Sequence, residues 1–439
     1  MKLQVLRARR RLVAAAFASP LSGLAPVAAS TPREGRTLFA GPANYRKLLS
    51  SLAPGDRLEL APGEYLNGLP LHGVRGSAAR PIVIAGPVGP QRAAFLGRAG
   101  AHTVSLVDSE HVVVRNLLLD GRGARVDAVR AEGHARWTHH VTLEGLTIVN
   151  HGASQQNSGI STKCPAWGWV VRGNTIVGAG TGMYFGDSDG SDPFFDSLIE
   201  GNWIADPIGY GIQIKHQRGR PDPPPAPDPG QTEIRRNLIV KRRPAAAPEL
   251  ARPNLLVGHL PLSGAGAGDR YLVHGNVLVD NPSEALFQGE GNLVLYNNLL
   301  FNPHGDGVRI QPHNDRPRNV VVFNNTVVAA GLGIGFVGGE PGFARSLERN
   351  LVYGRPPLHS EIDGDNLAEE YEAAAGAFVR LDADPQRLDL TPRGGMPRPR
   401  LPFDAAALGL PGAEADLNGR PRGLAAYGAC SDSAGATCP

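Results

Sequence analysis

The sequence predicts an all-β fold, a single-stranded parallel β-helix in which short strands stack rung on rung. Two observations predict it. The first is a recurring phrase of a few apolar or β-branched residues, an Asn, and a second apolar run. The second is a phrase between these repeats in which a glycine is followed by alternating apolar and polar residues. Both patterns are typical of many short strands separated by turns, not of long helices.

The Asn phrase recurs through the middle of the chain. It is centred on Asn174, Asn202, Asn237, Asn276, Asn298, Asn325 and Asn350, with successive spacings of 28, 35, 39, 22, 27 and 25 residues. A repeat of variable length in this range indicates a supersecondary unit with loops of different sizes. At a corner, we expect each Asn to adopt left-handed backbone angles and its amide to bond to the Asn of the next rung. Such a ladder satisfies polar groups that the bend buries.

Two other repeat folds were weighed against the β-helix. A β-propeller needs a steadier period with more strands per repeat, and a leucine-rich repeat needs a denser Leu pattern. The sequence has neither feature.

The chain divides into three parts. Residues 1–30 have the order of a secretory signal, with four arginines before a weakly apolar run that ends in small residues, which predicts a secreted or periplasmic protein. Residues 36–355 form the β-helix domain, closed at its start by a short capping helix within 43–52. Residues 356–439 form a C-terminal capping region of mixed irregular and helical structure, with a helix expected over 366–379.

The three cysteines fit this division. Cys430 and Cys438 lie close together in the C-terminal tail, where a disulfide would staple the terminus. Cys164 is interpreted as a buried structural thiol.

Charge and hydropathy exclude two classes of protein. The chain has 44 basic and 41 acidic residues and a net charge of +3, without the concentrated basic face of a nucleic-acid binder. No apolar run after the N-terminal segment is long enough for a membrane span. We expect a monomer.

The glycine phrases place polar side chains in two outward columns. Alternate side chains of a strand face opposite sides, so Ile160, Met183, Ile212, Val308 and their partners two residues on point inward. One outward column then contains Arg130, Ser161, Tyr184, Gln213 and Arg309, and the other contains Glu132, Lys163, Gly186, Lys215 and Gln311. Asp187, His216 and His313 lie at or just past the strand ends.

Stacking makes distant residues neighbours. Rungs lie ~4.8 Å apart, so Lys163, Asp187 and Lys215 are expected within about two rungs, ~10 Å, of one another. A Gly/Ser-rich loop adds the carboxylates of Asp189 and Asp192 to that of Asp187. Several carboxylates on such a loop predict a Ca²⁺ site, although the same residues are also ordinary turn formers.

The cluster suggests β-elimination from a uronate-containing, acidic polysaccharide. A base must remove the proton next to the sugar carboxylate, and a nearby cation assists by neutralising that carboxylate. Lysine serves as the base only if its pKa falls. We expect Lys215 to be the base, His216 to protonate the leaving oxygen, and Arg309 or Lys163 to hold the substrate carboxylate. Further substrate-binding residues are expected to be Arg130, Tyr184, Gln213 and Arg218.

Several motifs resemble a known superfamily. The PGD and GEY strings at 54–56 and 63–65, the Asn repeat and the closing DLNGRPR at 416–422 resemble bacterial right-handed parallel β-helix proteins of the pectate-lyase-like superfamily, over most of residues 36–425. An acidic loop one rung before a strand-borne lysine is similar to family 9 polysaccharide lyases. The region 215–219 is similar to the lysine region of family 6 lyases, which have Ser and Asn where His216 and Arg218-Gly219 stand here. The resemblance implies a right-handed coil; it is less specific for activity, because this superfamily includes lyases, hydrolases, epimerases and non-enzymes.

Three other functions remain open. A glycoside hydrolase would need a carboxylate pair, for which Glu132, Asp187 and Asp189 are candidates. An epimerase would use the same residues as a lyase. A non-catalytic carbohydrate-binding solenoid would scatter its polar residues, whereas their clustering over 160–216 favours an enzyme.

Overall fold

The structure is a computed structural model that describes residues 35–133, 137–220, 226–400, 403–422, 426–430 and 438. The predicted signal segment, residues 1–30, lies outside these ranges. Three parallel sheets of 14, 12 and 11 strands run along the described chain, here called sheets A, B and C. The predicted right-handed parallel β-helix is confirmed.

The strands of each sheet follow one another at intervals of one turn of the coil. Sheet A contains Thr37–Ala40, Arg57–Leu60, Ile82–Ala85, Glu110–Arg115, Thr138–Glu144, Val170–Arg172, Leu198–Glu200, Gln231–Arg235, Arg270–His274, Leu293–Tyr296, Val320–Phe323 and Arg345–Glu348, with Ala166–Trp167 and Phe194–Phe195 at its side. Sheet B contains Gly63–Tyr65, Ala93–Leu96, Leu117–Asp120, Thr147–Val149, Thr175–Val177, Trp203–Ala205, Leu238–Val240, Val277–Val279, Leu299–Asn302, Thr326–Ala329, Leu351–Gly354 and Leu367–Glu370. Sheet C contains Leu69–His72, Val104–Val107, Val129–Glu132, Ser158–Lys163, Thr181–Phe185, Ile212–Ile214, Leu255–Val257, Phe287–Gly289, Val308–Ile310, Ile334–Phe336 and Leu358–Ser360.

The core lies inside the coil, where alternate side chains of all three sheets meet. On sheet C the inward column is apolar and fully buried: Ile160, Met183, Ile212, Leu255, Phe287, Val308 and Ile334. Each of these residues packs on its equivalent one rung away because the strands pair in register. The predicted inward set of the glycine phrases is therefore confirmed.

The Asn ladder occupies the corner between sheets A and B. Each Nδ2 donates to the Oδ1 of the next ladder Asn at 2.9 Å, from Asn174 through Asn350. The ladder ends on Asn366, one rung later than the sequence repeat indicated. Each Oδ1 also accepts the backbone N–H of the preceding ladder Asn at 3.0 Å, so the predicted hydrogen-bonded ladder is confirmed.

The expected left-handed backbone at the ladder Asn is wrong. The left-handed residue is the one before it, with φ between 52° and 62°: Gly173, Gly201, Arg236, Gly275, Asn297, Asn324 and Arg349. The backbone N–H and the Nδ2 of a ladder Asn both donate to one oxygen of the next rung, for example at Asn237. These two bonds hold the backbone N–H of the ladder Asn pointing toward the next rung. The residue before the Asn therefore adopts the left-handed angles that turn the chain.

The N-terminal end is covered by a short helix, Tyr45–Leu49, inside the predicted 43–52 segment. Tyr45 and Leu49 are buried, and the Tyr45 ring packs edge-on against Tyr65 and Phe95. An additional strand, Thr37–Ala40, precedes this helix and pairs with Arg57–Leu60.

The helix expected over 366–379 is mostly absent. Leu367–Glu370 is a strand paired with Leu351–Gly354, and helical turns are limited to Tyr371–Ala373 and Ala374–Ala377. The Ala/Glu-rich composition favours a helix, but Asn366 continues the ladder, and pairing in sheet B overrides the local preference. The parallel sheets therefore run past residue 355. The remaining regular elements are a 3-10 turn at Pro248–Leu250, the antiparallel pair Phe378–Arg380 with Asp389–Pro392, and a 3-10 turn at Ala406–Leu408.

The C-terminal region packs along the side of the coil. Phe403, Leu410 and Ala413 contact the outer face of sheet A at Tyr296 and Phe323. The outer face of sheet B is covered by a second group of apolar side chains: Phe378, Leu388, Leu390, Leu417, Tyr427 and the disulfide Cys430–Cys438. The predicted disulfide is formed, and Cys164 is a buried free thiol as expected. Since the described C-terminal residues lie against sheets A and B, they leave the outer face of sheet C uncovered.

In the described part of the chain, no helix combines the length and the apolar character that crossing a membrane requires.

Candidate functional site

Sheet C brings the predicted columns together. Arg130, Ser161, Tyr184 and Gln213 are in register on four successive strands, and Glu132 is in register with Lys163. Gly186 comes directly after the strand Thr181–Phe185 and lies on the rung between those of Lys163 and Lys215. Lys163 Nζ donates to Gly186 O at 3.1 Å, and a Cβ on Gly186 would lie 3.1 Å from Lys215 Cβ. The two lysines thus stand on either side of a glycine on one wall.

Asp187 completes this group, which we call the lysine–aspartate cluster: Lys163, Asp187 and Lys215. Burial, together with the charges of Arg130 and Lys215, lowers the pKa of Lys163 to about 8, while the charge of Asp187 opposes this shift. Burial also lowers the pKa of Lys215, with Asp187 again acting in the opposite direction. The predicted neighbourhood of these three residues is therefore observed, and both amines are shifted toward the neutral, basic form.

The two lysines hold different contacts. Lys163 Nζ lies 3.4 Å from the centroid of the Tyr184 ring and is also bonded to Gly186 O. Lys215 Nζ makes no hydrogen bond to any described residue, so its amine is open to an incoming proton. Lysine is rare in this chain: only Lys2, Lys47, Lys163, Lys215 and Lys241 occur among the 44 basic residues. Arginine cannot lose its proton at ordinary pH, so two lysines together in an arginine-rich chain mark a place where proton transfer is possible.

The acidic loop after Gly186 is closed by its own hydrogen bonds. Asp187 accepts bonds from Ser191 Oγ and the Asp192 backbone N–H, both at 3.1 Å. Asp189 accepts the Ser191 backbone N–H at 2.9 Å, which lowers the pKa of Asp189 to about 2. Among the described residues, the carboxylates of Asp187, Asp189 and Asp192 do not bring three oxygens within 4.8 Å of one another. Calcium binding at this loop remains a prediction.

His216 and Arg218 brace that loop. The His216 imidazole lies so close to Gly190 that a Cβ there would come within 2.8 Å of the ring, and the Arg218 backbone N–H donates to Gly190 O at 3.0 Å. Burial lowers the pKa of His216, and the neighbouring Lys215 lowers it further. The ring of His216, which directly follows the candidate base Lys215 in the chain, is therefore neutral at neutral pH.

Two of the expected substrate-binding residues already have partners or are covered. Arg130 pairs with Glu132 at 3.0 Å and with Asp127 at 3.3 Å. Gln213 is buried, with its Oε1 making no hydrogen bond to the described residues. Tyr184 is partly exposed, and its hydroxyl lies 3.4 Å from Ser188 Oγ. Within this column, Tyr184 is the side chain best placed to contact a ligand.

Arg309 lies away from the cluster. Two strands that the sequence patterns did not reveal, Leu255–Val257 and Phe287–Gly289, intervene, so Gln213 is followed in register by Leu256, Gln288 and only then Arg309. Three rung spacings place Arg309 ~14 Å from Gln213. Its Nε donates to Asp306 at 2.6 Å. The structure therefore does not bring Arg309 to the two lysines.

One candidate residue, Glu290, was missed. It follows Phe287–Gly289 in the same column as Lys215, with Gly258 on the rung between them. Burial raises the pKa of Glu290 to about 7, and its charge acts on the pKa of Lys215. Oε1 accepts the Asn314 backbone N–H at 2.7 Å, while Oε2 has no hydrogen bond within the described structure. The available signal was the alternation in Phe287-Gln288-Gly289-Glu290, which lacks the preceding glycine of the other phrases.

Comparisons with known proteins identify the fold only. No protein-family model matches the chain, and no curated protein matches it. A lacto-N-biosidase from Eubacterium ramulus is similar over 76% of this chain and 67% of its own, at 14% identity and a TM-score of 0.51. An alpha-1,3-glucanase from Streptomyces thermodiastaticus is similar over 78% and 70%, at 15% identity and a TM-score of 0.51. An alginate lyase from Paenibacillus sp. is similar over 76% and 98%, at 16% identity and a TM-score of 0.44.

Proposed function

We propose that the chain is a polysaccharide-active enzyme, and specifically an exported lyase that cleaves a uronic-acid-containing polysaccharide by β-elimination along sheet C. The observation that carries this proposal is the lysine–aspartate cluster. Two lysines with lowered pKa values face each other across Gly186 on the wall that the described C-terminal residues leave open.

The reaction requires a base and a cation at neighbouring positions. Neutral Lys215 removes the proton on the carbon next to the sugar carboxylate and becomes an ammonium. Electrons then form a carbon–carbon double bond, the bond to the glycosidic oxygen breaks, and that oxygen takes a proton. Negative charge grows on the carboxylate in the transition state, where a fixed cation such as protonated Lys163 stabilises it most.

The division of labour follows from contacts. Lys163 Nζ is positioned by Gly186 O and the Tyr184 ring, which suits a residue that holds a carboxylate at a fixed point. Lys215 Nζ has no such anchor among the described residues, so it is the amine free to approach a substrate proton, and burial lowers the pKa values of both lysines. His216, adjacent to the base, is proposed to donate the proton to the leaving oxygen from its protonated form, which its lowered pKa confines to the acidic side of neutral pH.

Calcium enters as part of the same proposal. A substrate carboxylate, together with Asp187, Asp189 and Asp192, would supply the oxygen ligands that Ca²⁺ prefers. The three protein carboxylates are not gathered as they stand, so we propose that the ion binds with the substrate. An acidic polysaccharide is accordingly the proposed partner.

A glycoside hydrolase is the second candidate, because a buried carboxyl with a pKa of about 7, such as that of Glu290, suits a general acid. Its spacing is unfavourable. The other candidate carboxylate, Asp187, directly follows Gly186, and Glu290 lies three rungs, ~14 Å, from Gly186. The two carboxyl groups of a hydrolase are at most ~9.5 Å apart.

The test is an activity panel. The protein is incubated with pectate, alginate and glycosaminoglycans, with and without added Ca²⁺, while the ultraviolet absorbance of unsaturated product and the number of reducing ends are followed. Both signals rising together on one substrate supports the lyase. New reducing ends without absorbance would replace it with the hydrolase. Neither signal across the panel, with the fold intact, would overturn catalysis and favour a binding function.

A further inference from the structure

A second cluster lies on another wall of the molecule. His111, His139 and His140 stand at the beginning of two sheet A strands, where the chain arrives from sheet C. Each offers a ring nitrogen, and the three nitrogens lie within 4.8 Å of one another. Within the described structure this is the one group of three or more His, Cys, Asp or Glu side chains that meets this distance. The proposed lyase reaction uses none of them.

The backbone fixes two of these rings one above the other. His111 and His140 are in register and both are left-handed, with φ of 53° and 51°. The same position on the next rung is Gly168, with φ of 66°. The imidazoles of His111 and His140 stack at a centroid distance of 4.4 Å and an angle of 19°. A Cβ on Gly168 would lie 3.0 Å from His140 Cδ2, so the missing side chain leaves room for that ring.

A carboxylate orients the third ring. His139 Nε2 lies 2.8 Å from Glu110 Oε2, and its Nδ1 lies 2.7 Å from His140 Nδ1. The Glu110 carboxylate holds the proton of neutral His139 on Nε2, which leaves the Nδ1 lone pair facing the other two rings. A histidine whose far nitrogen bonds to a carboxylate is the usual arrangement of a metal ligand and its supporting residue.

We propose that His111, His139 and His140 form a binding site for one divalent transition-metal ion of the zinc class. Imidazole nitrogens suit Zn²⁺, Cu²⁺ and Ni²⁺. Three protein ligands leave a fourth position for water, and His140 is exposed, so both ion and water have access.

Binding needs a small rearrangement. Two nitrogens on a tetrahedral zinc, each ~2.0–2.1 Å from the ion, are ~3.3 Å apart. The His139 and His140 nitrogens, 2.7 Å apart, must therefore separate by a few tenths of an ångström. His140 must carry its proton on Nε2 in the bound state, and the stacked rings must tilt so that their lone pairs converge. Each change is a side-chain rotation or a tautomer shift.

The bound ion would also fix the surrounding aromatic group. The His139 ring stacks on Trp167 at 4.1 Å, and Trp167 packs edge-on against Trp137. Trp167 follows Lys163 by four residues. An ion bound to the three histidines would therefore link successive rungs of sheet A at its corner with sheet C.

Binding is measured on the full chain without any polysaccharide, so its result is independent of the proposed lyase activity. After chelator treatment and dialysis, the protein is titrated calorimetrically with Zn²⁺. In parallel, visible spectra are recorded with Co²⁺, whose absorption reports tetrahedral nitrogen coordination. We expect one Zn²⁺ per chain and a tetrahedral Co²⁺ spectrum. Absence of Zn²⁺ binding to the folded protein would overturn the proposal.

The variants are chosen to keep the backbone. His111→Asn and His140→Asn place Asn, which tolerates left-handed angles, at the two left-handed positions, and each is expected to weaken Zn²⁺ binding at least ~100-fold. Glu110→Gln is expected to weaken it ~10–100-fold by removing the orienting charge. His359→Ala, an exposed histidine on sheet C, is the matched control and should bind normally. Equal Zn²⁺ affinity in His140→Asn and the parent protein would place the ion elsewhere and overturn the assignment.

Discussion

The corner between sheets A and B and the outer wall of sheet C use polar residues in opposite ways. At the corner, one residue type repeats rung after rung, and each Asn amide is bonded to the next. On sheet C the polar residue changes at every rung, and buried polar atoms such as Gln213 Oε1 and Glu290 Oε2 have no hydrogen bond to described residues. Repetition with full bonding marks a structural device, and variation with shifted pKa values marks a candidate site for chemistry.

The largest expected effect, and the clearest distinction between the structural corner and the candidate catalytic wall, comes from Lys215→Ala. On a substrate found by the activity panel, we expect a loss of ~10³-fold or more in kcat, since a positioned base contributes ~10²–10⁴-fold. The melting temperature should stay unchanged because Lys215 packs outside the core. Steady-state kinetics and thermal unfolding measure both effects.

Two lysine variants serve as controls for this result. Lys215→Arg keeps the charge but cannot act as a base, so it should be as inactive as the alanine variant. Lys47→Ala, at an exposed lysine on the N-terminal helix, should retain full activity. Activity retained in Lys215→Ala would remove Lys215 from the mechanism.

The corner is tested by Asn276→Ala. The change removes an Nδ2 that donates to Asn298 Oδ1 and to Ile234 O, and an Oδ1 that accepts two bonds from Asn237. Buried donors left without partners should lower the free energy of unfolding by about 3 kcal/mol. Denaturant unfolding measures this loss. Asn67→Ala, at an exposed loop position, should change stability by less than about 0.5 kcal/mol, and similar losses in both variants would contradict a structural role for the ladder.

Glu290→Gln tests whether burial on sheet C raises the pKa of the Glu290 carboxyl and so makes the stability of the fold depend on pH. The folded protein raises the pKa of Glu290 to about 7, so its contribution is fully present below the unfolded pKa of about 4.5 and is lost as pH rises through about 7. The total loss is on the order of 3 kcal/mol. Glutamine stays neutral, so the variant should lack this part of the pH dependence of unfolding. Identical pH dependence in the variant and the parent protein would rule out the raised pKa.

The smallest expected effect is in the pH profile of Lys163→Arg. Lys163 must be protonated to hold the substrate carboxylate, and its pKa is about 8, so kcat/KM of the parent protein should decline above that value. Arginine keeps its charge there, so the decline assigned to Lys163 should disappear in the variant. A decline that is unchanged in Lys163→Arg would assign it to another group.

The sequence was sufficient for the coil and for part of the site. The Asn phrases predicted the ladder because a stacked corner needs one bonded amide per turn, and the inward column followed from strict alternation on each strand. The Lys163–Asp187–Lys215 neighbourhood followed because their strands are consecutive in sheet C.

Other features depended on contacts that no local pattern carries. The strands Leu255–Val257 and Phe287–Gly289 have Asn254 and Leu286 where the other phrases have glycine, so two rungs were missed and Arg309 was placed too near. Each interval between ladder Asn residues must contain one sheet C strand, and that rule would have found them. The burial of Gln213 and Glu290 and the grouping of His111 with His139 and His140 depend on which rungs stack and on the segments between them, which the Asn and glycine phrases leave unspecified.

The central claim, that acidic polysaccharide binds at the two sheet C lysines, is tested most directly by protection from amine acylation. The few lysines allow each to be followed by mass spectrometry, with exposed Lys47 as the internal reference. At a pH near the Lys163 pKa of about 8, uronate oligosaccharides should slow the acylation of Lys163 and Lys215 severalfold and leave Lys47 unchanged. Unaltered rates at Lys163 and Lys215 under saturating oligosaccharide of every acidic type in the panel would contradict the account.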